Sequence, residues 1–306
     1  MNRQIELDDP AMDIHPERPE PQRLAVAERE SVSSHARVVT VCQCNIREGG
    51  RWTGLRGKKT TYDTARRFAR FVASVNPNNS QYPPIGVIGM QEISEADRDV
   101  IRTLLEEETG AEWHSERTAQ GIEDDSGIGF FHRAEIVEPS PGGDMGELIV
   151  CRLDNDYAIK YAGRVFQTPA GERFAPVTGK LPWRGAALPD RTITDEDRGE
   201  YARALRSWIR ERLAEPPLVT IIATDLNCGY RSPAWRELNV EYVDPSRQRT
   251  YNSFAGPAID LIGKRLDYLW LSRTRRAGFA DGPRRSPHFG SDHRAVYGTV
   301  EFQEEA

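Results

Sequence analysis

Two short runs that are apolar at nearly every position constrain the fold of this chain more than any other feature. They are Ile85–Met90 and Leu218–Ala223, in which Thr220 is the one polar residue. A near-continuous apolar run, in place of an alternating one, is typical of a strand buried on both faces. Each run ends in polar residues, Gln91-Glu92 in the first case and Thr224-Asp225-Leu226-Asn227 in the second. The sequence therefore predicts deeply buried strands that deliver carboxylates at their ends.

Helical and strand patterns alternate along the rest of the chain. The apolar spacing predicts amphipathic helices over 61–75 and 194–213, and the Ser94/Asp97 pair resembles a capping box that opens a third helix. Further strands are predicted at 36–45, around Trp113, and at 127–132, 147–153, 164–168, 173–180, 265–271 and after His293, with a turn at 139–143. The alternation indicates an α/β protein with mixed sheets.

The chain divides into a tail and one domain. Residues 1–36 carry four prolines among charges and show neither a helical nor a strand period, which predicts a disordered or loosely docked arm. Residues 37–306 carry the periodic segments and are long enough to bury a large core.

Cysteine usage and hydropathy bound the cellular setting. Cys42 and Cys44 lie two residues apart on a predicted strand, which is an awkward spacing for a disulfide, and we interpret them as buried thiols. A reducing, cytoplasmic setting follows. No segment approaches the roughly 20 apolar residues of a membrane span, and the acidic N-terminus is unlike a secretory signal.

Charge is unevenly distributed along the sequence. The whole chain has a net charge of −6, whereas residues 264–294 carry a net charge of +5. A Gly-rich segment after Asn45 adds Arg47 and Arg51. These basic segments form either a solvated loop surface or a surface that attracts a polyanion.

Polar side chains stand at the ends of five predicted strands. The residues are Asn45, Glu92, Asp225 with Asn227, Asp267, and Asp292 with His293. Each has an ordinary explanation: Asn45 as a cap, Glu92 as a surface residue at a strand end, Asp225 and Asn227 as turn formers, and Asp267 as a partner of Arg265. Together they form a coherent chemical set, because buried ionisable groups are costly unless they are paired or bind a cation.

In their order along the chain, these blocks resemble the endonuclease/exonuclease/phosphatase superfamily, which has a deoxyribonuclease-I-like fold. The blocks are Cys44-Asn45-Ile46, Met90-Gln91-Glu92, Thr224-Asp225-Leu226-Asn227, Arg265-Leu266-Asp267-Tyr268 and Ser291-Asp292-His293. The resemblance covers about residues 37–303. It implies a four-layer α/β/β/α sandwich with two packed mixed sheets, a divalent metal, and hydrolysis of a phosphate ester.

The residue chemistry agrees with that implication. Glu92 and Asn45 offer the oxygen ligands that Mg²⁺ or Mn²⁺ prefers, and Asp292 is a third candidate ligand. We expect Asp267 to hold His293 in one tautomer. We expect Asp225 to activate the attacking water and Asn227 to stabilise the transition state.

The chain departs from the family pattern at several positions. Thr224 stands where many members have Gly, and Arg47 where some have an acid. The central Thr-His-Leu is missing, and the nearest match is Thr178-Gly179-Lys180-Leu181. Lys180 is therefore a candidate phosphate contact, and Tyr161 is the alternative.

Three functions remain open from the sequence. A nuclease that cuts DNA or RNA is favoured by Arg47, Arg51 and the basic 264–294 segment, and by Trp270, which could stack on a base. A phosphatase or phosphodiesterase of a small or lipid phosphate ester is the second. A non-catalytic binding module on the same fold is the third, supported by the missing central His.

Overall fold

The computed structural model describes residues 37–46, 60–75, 83–93, 95–119, 127–154, 157–213, 218–246, 250, 265–287, 289–291 and 293–303. The predicted tail at 1–36, Arg47, Arg51 and Asp292 lie outside these residues. Within the described ranges, none of the helices combines the length and the hydropathy that a membrane crossing requires.

Twelve strands and four helices are assigned in these ranges. In chain order they are β1 (Val38–Asn45), α1 (Thr60–Ser74), β2 (Ile85–Ile93), α2 (Glu95–Thr109), β3 (Trp113–Ala119), β4 (Gly127–Arg133), β5 (Glu138–Arg152), β6 (Ala158–Gln167), β7 (Arg173–Lys180), α3 (Asp195–Arg212), β8 (Val219–Asp225), α4 (Pro233–Leu238), β9 (Tyr242–Val243), β10 (Asp267–Ser272), β11 (Ala277–Arg285) and β12 (Val296–Phe302).

The strands form two six-stranded sheets. The first has the order β11-β12-β1-β2-β4-β3, and the second has the order β5-β6-β7-β8-β10-β9. Each sheet is mixed, because β1 and β2 pair in parallel in the first and β7 and β8 in the second, while their other neighbours are antiparallel. The two parallel pairs are central, as expected for strands buried on both faces.

Three apolar layers hold the molecule together. Phe68 of α1 and Leu105 of α2 pack on the outer face of the first sheet, and Leu205 of α3 packs on the outer face of the second. Between the sheets, side chains such as Val41 and Ile221 form a separate core. Alternation along the strands explains this division, since successive side chains point to opposite faces. The predicted four-layer α/β/β/α sandwich is confirmed.

Helix α3, predicted from its apolar spacing over 194–213, begins at Asp195. The Thr194 hydroxyl accepts from the Asp197 backbone N–H, and the Asp197 carboxylate accepts from the Thr194 backbone N–H, which completes a capping box. Arg191 binds the same carboxylate through two hydrogen bonds of 2.6 and 2.7 Å. These bonds hold the pKa of Asp197 well below its ordinary value.

The predicted turn at 139–143 is wrong. The segment lies inside β5, where the pairing with β6 shifts register between Pro139 and Asp144. β5 is at the edge of its sheet, so proline is tolerated there and the extra residues form a bulge. A Cβ on Gly143 would meet the Ser140 carbonyl oxygen at 2.8 Å, so the bulge requires glycine at this position.

The basic C-terminal region also contains more regular structure than its sequence predicts. Residues 277–285 form β11, which pairs with β12 at the edge of the first sheet. Two register shifts, on either side of Asp281, interrupt this pairing. They conceal the alternation by which a strand is recognised in sequence.

Candidate active site

The site lies where strands from both sheets end. The parallel pairings set Asn45 opposite Gln91 in the first sheet and Lys180 opposite Asp225 in the second. β10 runs the other way, so its first residue, Asp267, stands opposite Asp225. Strand register alone therefore gathers polar residues from the two sheets at one edge of the sandwich.

Asp267 and His293 form a buried pair. The Nδ1 atom of His293 lies 2.8 and 3.0 Å from the two carboxylate oxygens of Asp267, and the two residues are 5% and 0% exposed. The Thr250 hydroxyl accepts from the backbone N–H groups of Leu266 and Asp267, which fixes the start of β10. Arg265 pairs with Asp244 instead, so the ordinary explanation of Asp267 as its partner is wrong.

Asn45 connects the two remaining acids of the site. Its Nδ2 donates to Glu92 Oε1 at 3.3 Å and to Asp225 Oδ2 at 3.2 Å. One ligand atom each from Asp225, Asp267 and His293 also lie within 4.8 Å of one another. Five of the predicted site residues are therefore brought together: Asn45, Glu92, Asp225, Asp267 and His293.

Lys180 enters the same space from the end of β7. Its Nζ donates to Glu92 Oε1 at 2.8 Å and lies 4.9 Å from the centroid of the Tyr157 ring. Gly179, the preceding residue, allows close approach of β6, because a Cβ there would meet the Lys160 carbonyl oxygen at 2.4 Å. The lysine thus lies among the acids.

The acids outnumber the fixed cations in this buried space. Burial raises the pKa of Asp225 above its ordinary value, and the charges of Asp267 and Glu92 act in the same direction. His293 and the backbone N–H of Asn227 oppose this shift. The surplus of negative charge is the condition under which a site attracts a cation.

Two site residues adopt a left-handed backbone conformation. Glu92 has φ 59° and Asn227 has φ 49°. This conformation is uncommon for residues other than glycine, and it persists where surrounding contacts impose it, often at functional sites. At Asn227 the contacts are visible: its Nδ2 donates to the Leu181 carbonyl at 2.8 Å, and its own carbonyl accepts from Arg198 at 2.6 Å.

Two glutamines behind the site were not predicted from the sequence as functional residues. Gln43 Nε2 donates to Gln91 Oε1 at 2.8 Å and to Asp267 Oδ1 at 3.0 Å, and both glutamines are fully buried. Gln91 Nε2 donates in turn to the Thr178 hydroxyl at 2.6 Å. Gln43 lies on the same face of β1 as Val39 and Val41. A polar residue on an otherwise apolar face was the signal available in the sequence.

Ser291 joins the two sides of the site. Its hydroxyl donates to the Asn45 carbonyl at 3.1 Å and accepts from the His293 backbone N–H at 3.0 Å. The segment before β12 is thereby tied to the end of β1. The Ser-Asp-His sequence thus contributes a positioning hydroxyl as well as the imidazole.

Two predicted substrate contacts are wrong. Trp270 is 0% exposed and stacks on Tyr268 in the core under α3, where it cannot reach a substrate. Tyr161 is also 0% exposed, and its hydroxyl makes a 2.7 Å hydrogen bond with Thr224. Thr224 therefore satisfies a buried phenol.

The basic 264–294 segment, which favoured a nuclease in the sequence, lies only partly at the site. β10 begins at Asp267 in the site, and Arg273, Arg275 and Arg276 follow its other end, roughly 17 Å away for five strand residues. Arg285 pairs with Val296 at the start of β12 and so lies on the side of His293. Arg47, Arg51 and Asp292 lie outside the described residues.

Solved structures of the endonuclease/exonuclease/phosphatase family share this fold. The family member from Bacteroides vulgatus is 14% identical, with a TM-score of 0.65 over 87% of this chain and 99% of that chain. The mannosyl-6-phosphatase from Bacteroides thetaiotaomicron is 14% identical, with a TM-score of 0.63 over 86% and 100%. ANGEL2, a 2',3'-cyclic phosphatase, is 11% identical, with a TM-score of 0.59 over 86% and 95%.

At these identities the likeness shows the fold, and for the fold the resemblance seen in the sequence motifs is confirmed. The sequence matches no protein-family model and no curated protein.

Proposed function

We propose that this chain, which has the fold of the endonuclease/exonuclease/phosphatase family, is a divalent-metal-dependent phosphoester hydrolase. One observation carries the proposal. The Asp267–His293 pair and the acids Glu92 and Asp225 converge at one edge of the sandwich, although they come from four separate segments of the chain. Acid–base groups beside a surplus of carboxylates are what the hydrolysis of a phosphate ester requires.

The donor set fits a hard divalent cation. Glu92 and Asp225 flank the Asn45 amide, and rotation of that amide would present its oxygen to the space between the carboxylates. Glu92 and Asn45 would hold Mg²⁺ or Mn²⁺, with Asp292 as a further candidate ligand. A bound cation would neutralise charge on the phosphoryl oxygens and on the leaving oxygen.

The acid–base work falls to the chain's own residues. Asp267 holds Nδ1 of His293 as a donor, which fixes the tautomer and supports positive charge on the ring. Protonated His293 can then donate from Nε2 to a phosphoryl oxygen. Asp225, whose pKa is raised by burial, is the base that accepts a proton from the attacking water.

Asn227 and Lys180 complete the proposed assignment. The Asn227 backbone N–H donates to Asp225 Oδ1 at 2.8 Å, and its side-chain amide donates to the Leu181 carbonyl at 2.8 Å. We assign to this amide the stabilisation of a pentacoordinate transition state. Lys180 supplies the positive charge that the missing histidine of the family motif would have brought toward the phosphate.

For the substrate we propose a nucleic-acid phosphodiester. Trp183 is 49% exposed and follows Lys180 by three residues, and Arg184 is next to it with a side chain that is 74% exposed. An exposed aromatic ring and a guanidinium beside a phosphate site suit a stacked base and its neighbouring phosphate. The alternative is a small phosphate ester, favoured by the distance of Arg273, Arg275 and Arg276 from the site.

Cleavage assays test the proposal. Plasmid, single-stranded DNA, RNA and a panel of sugar, nucleotide and inositol phosphates would each be incubated with Mg²⁺, Mn²⁺ or EDTA. We expect metal-dependent cleavage of at least one nucleic acid, with activity that falls steeply as salt rises. Hydrolysis of small esters alone, with weak salt dependence, would select the phosphatase. No hydrolysis of any ester with any metal would overturn the enzymatic assignment and favour a binding module.

A further inference from the structure

The Lys180–Glu92 ion pair occupies the position where a metal-binding carboxylate is needed. Lys180 Nζ lies 2.8 Å from Glu92 Oε1, and the side chains of Lys180 and Glu92 are 7% and 9% exposed, respectively. The pair joins the two sheets, because Glu92 belongs to β2 and Lys180 ends β7. The same Glu92 oxygen also accepts from Asn45, so it is committed to two donors.

The Lys180 ammonium lies between an acid and an aromatic ring. Its Nζ donates to Glu92 Oε1 at 2.8 Å and lies 4.9 Å from the centroid of the Tyr157 ring. The Tyr157 ring supports the charge through a cation–π contact. A divalent cation that approaches Glu92 therefore meets a fixed positive charge at hydrogen-bond distance from its ligand.

Two cations at one buried carboxylate oxygen repel each other strongly, because little water screens them. We propose that Lys180 is a built-in counter-ion that must leave Glu92 before a divalent cation binds, so that breaking this ion pair sets the metal affinity of the chain. The proposal rests on the proposed function, since it takes Glu92 as a metal ligand. It assigns Lys180 a second role, exercised before any phosphate contact.

The counter-ion lowers the apparent metal affinity by the fraction of molecules in which Glu92 is released. If that fraction is one in ten or smaller, removal of the ammonium strengthens metal binding by about tenfold or more. Removal of a lysine that only supports the structure would weaken metal binding. The predicted change in metal affinity therefore has the opposite sign.

Calorimetric titration with Mn²⁺ and with Mg²⁺, at fixed pH and ionic strength and without substrate, tests the proposal. We expect Lys180→Met to bind Mn²⁺ at least about tenfold more tightly than the wild type. Lys180→Arg keeps the charge and should stay close to the wild type, whereas Glu92→Gln should lose most of the affinity. Equal or weaker binding by Lys180→Met would overturn the proposal.

Lys160 provides the matched control. It is a second buried lysine beside Lys180 on the adjoining strand, since its neighbour Tyr161 pairs with Gly179, and it binds Glu147 at 3.3 Å. Lys160→Met should change Mn²⁺ affinity less than about threefold, because this lysine pairs with an acid that is not a candidate ligand. If it tightened binding as much as Lys180→Met, a general charge effect would replace the specific ion pair.

Thermal unfolding protects the test against a folding defect. Lys180→Met leaves buried carboxylates without their counter-ion, so its melting temperature without metal should fall below that of the wild type. Saturating Mg²⁺ should raise the melting temperature of Lys180→Met by more than it raises that of the wild type, which a merely damaged fold would not show. An equal or smaller rise would contradict the counter-ion role.

The outcome is separate from that of the cleavage assays. If the wild type hydrolyses no phosphoester but Lys180→Met still binds Mn²⁺ more tightly, the proposed function fails and the counter-ion stands. If neither protein binds a divalent cation, the counter-ion proposal fails whatever the chain hydrolyses.

Discussion

Among the residues that the structure describes, two histidines are buried, and their neighbours differ. His293 is 5% exposed and His132 is 3% exposed. Nδ1 of His293 lies 2.8 Å from an Asp267 carboxylate oxygen, whereas Nε2 of His132 lies 3.9 Å from a Glu116 carboxylate oxygen. The His132 ring packs against Phe166 and His114, with centroids 5.1 and 5.3 Å away.

The two histidines show that burial alone does not make a histidine suitable for proton transfer. Burial, together with the charges of His114 and Arg164, lowers the pKa of His132 to about 4, although a hydrogen bond with the Val137 backbone acts in the opposite direction. His132 therefore stays neutral at physiological pH and serves as a packing residue. His293 is buried to the same degree, but a carboxylate at hydrogen-bond distance can stabilise its charged form, which makes it suitable for proton transfer. Changes that affect one histidine and not the other test this distinction.

The largest effect is expected at His293. His293→Gln removes the proton donor and should lower kcat/KM by about 10³-fold or more. His132→Gln is the matched control and should leave kcat/KM within about threefold of the wild type, because this side chain has no contact with the site. Steady-state kinetics on one phosphoester measures both. A similar loss in both variants would remove the basis of the comparison.

The next largest effect is expected from the partner of His293. Asp267→Asn keeps the shape of the pair but removes the charge that supports the imidazolium, so kcat should fall by about 10²-fold. KM should change little, because Asp267 is fully buried and has no path to the substrate. Steady-state kinetics over a range of substrate concentrations measures kcat and KM separately. An unchanged kcat would show that the pair is structural.

A smaller effect is expected from Gln43, which donates to Asp267 from behind. Gln43→Leu should lower kcat by about tenfold and also cost about 2 kcal/mol of stability, since Gln91 Oε1 loses its donor. Thr40→Val is the control on the same strand: the Thr40 hydroxyl donates to the Pro83 carbonyl at 2.8 Å, away from the site. We expect that variant to lose stability in urea unfolding but to retain its kcat.

The smallest effect on activity, and a distinct effect on stability, is expected from the titration of His132. An unfolded histidine has a pKa of about 6.5, so acid protonates the unfolded chain first. The stabilising contribution of the neutral ring is complete above about pH 6.5 and is lost as the pH falls toward 4. The unfolding free energy should therefore drop by about 3 kcal/mol more in the wild type than in His132→Gln between pH 7 and pH 4. Parallel curves from urea titrations at several pH values would contradict the assignment.

The sequence predicted the layers and the main polar residues because both have local signatures. Apolar runs and helical spacing located β2, β8 and α3, and the polar strand ends located Glu92 and Asp267. What remained hidden depends on contacts between distant segments. Gln43 of β1 reaches Asp267 only because the two sheets pack together and bring β1 close to β10. The bulge in β5 depends on the position of that strand at the edge of its sheet.

The errors have the same origin. Trp270 lies on a strand that begins in the site, but alternation and the covering helix bury it, and no property of a tryptophan in sequence distinguishes the two cases. The basic 264–294 segment, which includes residues 273–276, was used in favour of a nuclease from its net charge alone. The direction of β10 carries residues 273–276 to its other end.

The most direct test of the account compares one hydrolysis rate in four proteins. The kcat/KM of the wild type, Glu92→Gln, His293→Gln and His132→Gln would be measured on the best phosphoester substrate with saturating Mg²⁺ and with EDTA. We predict metal-dependent hydrolysis that falls at least about 10²-fold in the Glu92 and His293 variants and is retained in the His132 variant. Hydrolysis that persists in EDTA, or that survives His293→Gln at the wild-type rate, would contradict it.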